Sequence, residues 1–126
     1  MTTAPSIEGF EPINEKAKSW SEFVRSADAV VLVSLEYNHG LSDIQKNAID
    51  WLYHEWTDKP VVFVAYGWYA GANTLTQPAE ISTVLKWRPV EKSVGLQFTK
   101  DIDLEGNVLD GDTVDIVLEN IVSIIK

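Results

Sequence analysis

Two short apolar runs, at residues 29–35 (Ala-Val-Val-Leu-Val-Ser-Leu) and 61–66 (Val-Val-Phe-Val-Ala-Tyr), flank a stretch from Leu41 to Trp56 whose apolar residues recur at helical spacing. Continuous apolar runs of this length are what strands buried in a parallel sheet require. Parallel neighbours also need a crossover between them, most often a helix. The segment therefore reads as one βαβ unit. In open parallel sheets ligands settle outside the carboxyl ends of the strands, which directs attention to the loops at 36–40 and 66–72.

The rest of the chain fits one α/β domain. Residues 1–13 carry two of the five prolines and read as an irregular lead-in, leaving residues 14–126 as the folded domain. A short amphipathic helix is expected from Asn14, with Ala17, Trp20, Phe23 and Val24 on its apolar side. Ser42 followed by Gln45 forms a capping-box pattern at the start of the crossover helix. Its predicted stripe is Leu41, Ile44, Ala48, Trp51, Leu52 and Trp56, opposite Asp43, Lys46, Asn47, Asp50 and His54. Pro60 opens the second strand, and Pro78 suits the first turn of a third helix over 78–87. A loop of about twelve residues would then follow Tyr66, a length usually tied to function. A third strand is expected at 93–98, an acidic turn at 101–112, and a final apolar helix at 113–125 with Val114, Val117, Leu118, Ile121, Val122 and Ile125 on one side.

Composition narrows the chemistry. The 126 residues carry a net charge of −9 with ten basic side chains, which argues against nucleic-acid or anionic-membrane partners. The absence of cysteine removes thiolate nucleophiles, disulfides and zinc–thiolate sites. No apolar run approaches the ~18 residues that span a bilayer, so the chain reads as cytoplasmic. No metal site is expected: Asp50 with His54 fits a surface pair, and the acidic 101–112 segment fits a turn better than a calcium loop.

Glu36-Tyr37-Asn38, the block Lys46-Asn47-Ala48-Ile49-Asp50-Trp51-Leu52-Tyr53-His54-Glu55-Trp56 and Lys59-Pro60 resemble the flavodoxin-like NAD(P)H-dependent FMN reductases, in particular the fungal azoreductase and quinone-reductase branch. The resemblance implies a reduced flavodoxin-like three-layer sandwich with a short parallel sheet. It also implies that Glu36, Tyr37 and Asn38 face the flavin largely through backbone amides, and that Tyr66, Gly67 and Gly71 match the family's second flavin loop. Leu35 replaces that family's proline, and Trp68 and Tyr69 stand where it keeps glycine or histidine. The family's phosphate-binding loop and first strand have no recognisable counterpart in residues 1–27. FMN is accordingly expected to bind weakly or not at all, and NADPH to act only where FMN is bound. Without the first strand of the family's order, the strand at 29–35 would have an unpaired edge, and a homodimer through it is expected to complete the sheet.

A second reading is a redox-inactive member that binds a small apolar or aromatic molecule. It would catalyse a proton transfer, dehydration or cyclisation through His39 and Glu36, or serve as a binding or partner subunit. Trp68 and Tyr69, with Tyr66, would either line the pocket or plug the flavin site. His39 as a solvated turn residue, with Glu36 steadying the loop, is the alternative.

Overall fold

The computed structural model describes residues 14–89 and 94–125. The lead-in at 1–13 and the start of the expected strand at Ser93 lie outside them. The described elements are α1 (Glu15–Ser26), β1 (Val30–Leu35), α2 (Asp43–Asp50), β2 (Pro60–Gly67), α3 (Gln77–Leu85), β3 (Arg88–Pro89), β4 (Val94–Gln97) and α4 (Gly111–Ile125), with single 3₁₀ turns at His54–Trp56 and Thr74–Thr76. β2 is central. It pairs in parallel with β1 along its whole length, with β3 at Pro60 and Val61, and with β4 from Val64 to Gly67. This is the α/β parallel architecture expected, with one more strand than the three foreseen.

One face of the sheet carries the main core. Val30, Leu32, Val61, Phe63 and Ala65 from the strands pack with Val24 of α1, Ile49 of α2, Leu85 of α3, and Leu52, Trp56 and Trp87 from the connections. Trp56 stands edge-on to both Trp20 (6.2 Å) and Trp87 (5.5 Å). The opposite face carries a smaller cluster in which Val117 of α4 covers Val62 and Val64, joined by Leu96 and Ile121.

Several details depart from the sequence expectation. The crossover helix stops at Asp50 instead of running to Trp56. Helix ends leave carbonyls short of partners, and here two indoles bond to them: Trp20 Nε1 donates to Ala48 O (2.7 Å) and Trp56 Nε1 to Ile49 O (3.0 Å), which also accepts from Leu52 N. Trp51 and Leu52 are buried in the turn that follows, and the chain re-forms one 3₁₀ turn at His54–Trp56. The shortened helix presents Ile49 to the core and leaves Ile44 79% exposed, reversing its expected place in the apolar stripe. Ser42 Oγ does accept from Gln45 N, but the Gln45 side chain donates to Val33 O instead of closing the capping box.

β1 was expected to be covered on both faces. Instead Val31 (39%) and Val33 (55%) are exposed, because α4 lies over β2 and β4 and does not extend across β1. Glu36 N–H donates to Tyr66 O, so in a ladder of alternating direction Leu32 and Ser34 also turn their groups towards β2, while Val31, Val33 and Leu35 turn theirs outward. Among the described residues no strand pairs with that outer edge. The loop after β2 is shorter than foreseen, since β2 extends to Gly67 and a 3₁₀ turn begins at Thr74. α3 ends at Leu85, with Lys86 in the left-handed region at φ 57° and Trp87 buried beyond it. α4 starts two residues earlier than expected, its first turn capped by the Asp110 carboxylate, and Leu118 and Val122 of its expected buried stripe are about half exposed.

Candidate functional site

The carboxyl ends of β1 and β2 lie side by side, with Leu35 opposite Tyr66. From β1 the chain passes into a tight turn in which Tyr37 and Gly40 exchange backbone hydrogen bonds of 2.9 and 2.8 Å. Its two central residues, Asn38 (φ 47°) and His39 (φ 67°), are left-handed, the requirement of a type I′ turn. Asparagine tolerates that conformation; histidine does so at some cost. Tyr37, Asn38 and His39 are exposed. No hydrogen bond joins His39 to Glu36.

The second loop follows β2. Ala70 N–H returns to Gly67 O, Ala72 N–H to Tyr69 O, and Ala70 and Gly71 take positive φ (55° and 62°). Gly71 packs so closely onto β2 that a Cβ there would lie 2.3 Å from Ala65 Cβ. The loop also rests on β4: a Cβ on Gly95 would fall 1.8 Å from Ala70 O. Trp68 and Tyr69 project outward, 58% and 71% exposed. Phe98, just after β4, stands edge-on to both Trp68 (5.4 Å) and Tyr66 (6.0 Å).

Glu36 joins the two loops. Its carboxylate accepts from Asn73 N (3.2 Å), Asn73 Nδ2 (3.1 Å) and Thr74 N (3.4 Å), at the start of the 3₁₀ turn. Thr74 is fully buried, and its hydroxyl donates to Gly40 O (3.0 Å); Gln77 Oε1 accepts from Leu41 N (3.1 Å). Residues assigned from sequence are thus brought together at one end of the sheet, while Asn73, Thr74 and Gln77 were missed. Polar residues after a glycine-containing loop were the available signal, but their partners lie more than thirty positions away.

An open groove of about 430 Å³ runs along β1, lined by Trp20, Val33, Leu35, Ile44, Tyr37 and Tyr66 among others. Trp68 and Tyr69 are not among the described residues that line it. No group of three or more potential metal ligands occurs among the described residues.

A flavin ring needs backbone donors at its polar edge and close backbone approach. Among the described residues, no hydrogen bond engages the N–H groups of Asn38, His39, Trp68, Tyr69 and Gly71, and Gly67 and Gly71 bring the second loop tight against β2. The ring end fits. A phosphate needs a cationic cluster or a helix N-terminal cradle of amides, and neither loop, 36–40 or 66–76, carries a lysine or arginine.

The sequence model of the NADPH-dependent FMN reductases matches residues 3–101. The chain is 36% identical over 94 residues to an NAD(P)H-dependent FMN reductase of Schizosaccharomyces pombe, covering 75% of this chain and 47% of that protein. It is 42% identical over 76 residues to one of Saccharomyces cerevisiae, covering 60% and 40%. The chain therefore spans about half the length of these curated relatives or less. Among solved structures, the flavoenzyme NAD(P)H:(acceptor) oxidoreductase FerB from Paracoccus denitrificans superimposes with a TM-score of 0.70 at 19% identity, covering 89% of this chain and 66% of that one, a likeness of fold.

Proposed function

Because the chain belongs to the NADPH-dependent FMN reductase family, we propose that it forms the ring-binding half of a flavin site and takes part in NAD(P)H-dependent reduction of a quinone or azo acceptor. The observation that carries this reading is the pair of adjacent loops at the carboxyl ends of β1 and β2, several of whose backbone N–H groups have no partner among the described residues. Tyr37 and Asn38 would border the ring from the first loop. Tyr66, Gly67 and Gly71 would border it from the second. When bound, FMN supplies hydride acceptance from the nicotinamide and its delivery to the acceptor. The protein's share is binding, orientation and exclusion of water. Trp68 and Tyr69 offer flat apolar surface on which an aromatic acceptor can stack, and His39 at the tip of the first turn would be the acid–base group of the same end of the sheet.

With no cationic cluster among the described residues to hold the phosphate, FMN affinity should be micromolar or weaker. Titration of the purified protein with FMN, followed by flavin fluorescence, tests this. Saturable quenching that riboflavin reproduces almost as well supports a site dominated by the ring. No quenching at millimolar FMN overturns the reading, and retention of stoichiometric FMN through dialysis overturns the claim of weakness.

The same proposal includes a cytoplasmic setting and a homodimer through β1. The outer edge of β1 is self-complementary: antiparallel pairing about a two-fold axis at Val33 sets Val33 against its copy and Val31 against Leu35, with no charged side chain between Val30 and Leu35. Gln45 would release Val33 O on pairing. Sedimentation at micromolar concentration should report a dimer, and Val33→Pro, whose lost N–H faces away from β2, should yield a folded monomer. A monomeric wild-type chain refutes the pairing.

A further inference from the structure

We propose that Glu36 is a positioning residue whose carboxylate latches the two loops of the site into one unit, and that this latch, resting on the flavin reading above, sets how well the loops receive the ring. Glu36 is anchored by its own N–H to Tyr66 O at the end of the sheet, while its carboxylate takes three donors from Asn73 and Thr74. Thr74, fully buried, passes the connection on to Gly40 O across the first turn. The anchored span encloses the whole second loop. Within residues 68–72 the backbone hydrogen bonds among the described residues are short-range returns of the kind Ala70 makes to Gly67, and these do not fix a loop relative to the sheet. Gly71 against Ala65 holds the near end, and Glu36 holds the far end.

A charged acceptor bonded to two backbone N–H groups and an amide is the stronger class of hydrogen bond. Holding a loop in its bound shape before the ligand arrives improves affinity by sparing the ordering cost at binding. Glu36 therefore acts on the ligand through Asn73 and Thr74. Both oxygens of its carboxylate are engaged by Asn73 and Thr74, which separates it in role from Tyr37 and Asn38.

The test uses the full chain and two readouts. In Glu36→Ala, amide hydrogen exchange across residues 68–76 should accelerate tenfold or more, with exchange in β1 and β2 changed less than twofold. The FMN dissociation constant should rise about tenfold. Glu36→Gln should show both defects in weaker form, since its amide N–H groups meet the donors of Asn73. The exchanged pair Glu36→Gln with Asn73→Asp restores a donor facing an acceptor and should recover most of the protection and affinity. Unchanged exchange in Glu36→Ala overturns the latch. Lost FMN affinity with unchanged exchange would make Glu36 a direct ligand contact and overturn it equally. If the wild type binds no FMN while exchange accelerates as stated, the latch stands and the flavin reading falls.

Discussion

The two faces of the sheet are built from the same strands yet hold very different cores. On the α1–α2–α3 face, three tryptophans interlock with Leu52 and with residues of the strands and helices, and two indole N–H groups bond to carbonyls at the end of α2. On the α4 face, among the described residues, Val62, Val64 and Val117 form the buried cluster, and Val31 and Val33 stay open beside them. The contrast teaches where stability is held. One face supplies the packing that holds the domain, and the other retains apolar surface that a further element or molecule can use. The two loops of the candidate site sit at the carboxyl ends of β1 and β2.

The strongest way to break this contrast is Trp56→Ala. It removes a fully buried ring, two edge-on aromatic contacts and the donor to Ile49 O, and should cost ~3–5 kcal/mol. Urea unfolding measures it, and a loss below 1 kcal/mol would mean that the tryptophan face is not the principal core. Val117→Ala on the opposite face deletes two methyl-sized groups and should cost only ~1–2 kcal/mol. A loss equal to that of Trp56→Ala would erase the distinction.

Acid sharpens the comparison, because the first face also holds a buried carboxylate. Burial works to raise the pKa of Glu55. Hydrogen bonds from Ser21 (2.6 Å) and from the backbone N–H groups of Glu55 and Tyr53, with the Arg25 guanidinium nearby, outweigh burial and hold it below its ordinary value of 4.5. The unfolded chain therefore binds the proton first on acidification. The stability this gives is fully present above about pH 4.5 and is lost as pH falls through the lower folded value. Denaturation midpoints between pH 3 and 7 should decline more steeply in the wild type than in Glu55→Gln, and parallel curves would show that Glu55 contributes nothing. The smallest effect is expected at Ile44, which is 79% exposed: Ile44→Ser should change stability by less than ~0.5 kcal/mol. A larger loss in a concentration-dependent melt would reveal that this side chain is covered in an assembly.

How far these features could be read in the chain depended on how local their causes are. β2 was legible because each of its residues from Val61 to Ala65 is buried, so its apolar run carries its own explanation. The shortened α2 was not, since the indoles that end it come from Trp20 and Trp56, and a helical stripe drawn through Leu41 and Ile44 says nothing of distant donors. The alternation of β1 was hidden for a similar reason: valines at 31 and 33 look buried until the reach of α4 is known. In the site, Glu36, Tyr37, Asn38, Gly67 and Gly71 could be named from their resemblance to a family. The partners of the Glu36 carboxylate could not, because 37 residues separate it from Asn73.

Gly95 carries a consequence for how this site can vary. Its missing side chain leaves the space into which Ala70 O settles, so the loop after β2 is seated on β4 with less than a methyl group to spare. Trp68 and Tyr69, pointing outward, can be exchanged for other side chains without disturbing that seat. Position 95 cannot. One added carbon there would act as a wedge driven from below, lifting the loop from a place no ligand touches. The outward side of the loop can therefore vary in chemistry, while its foundation in β4 is closed to change.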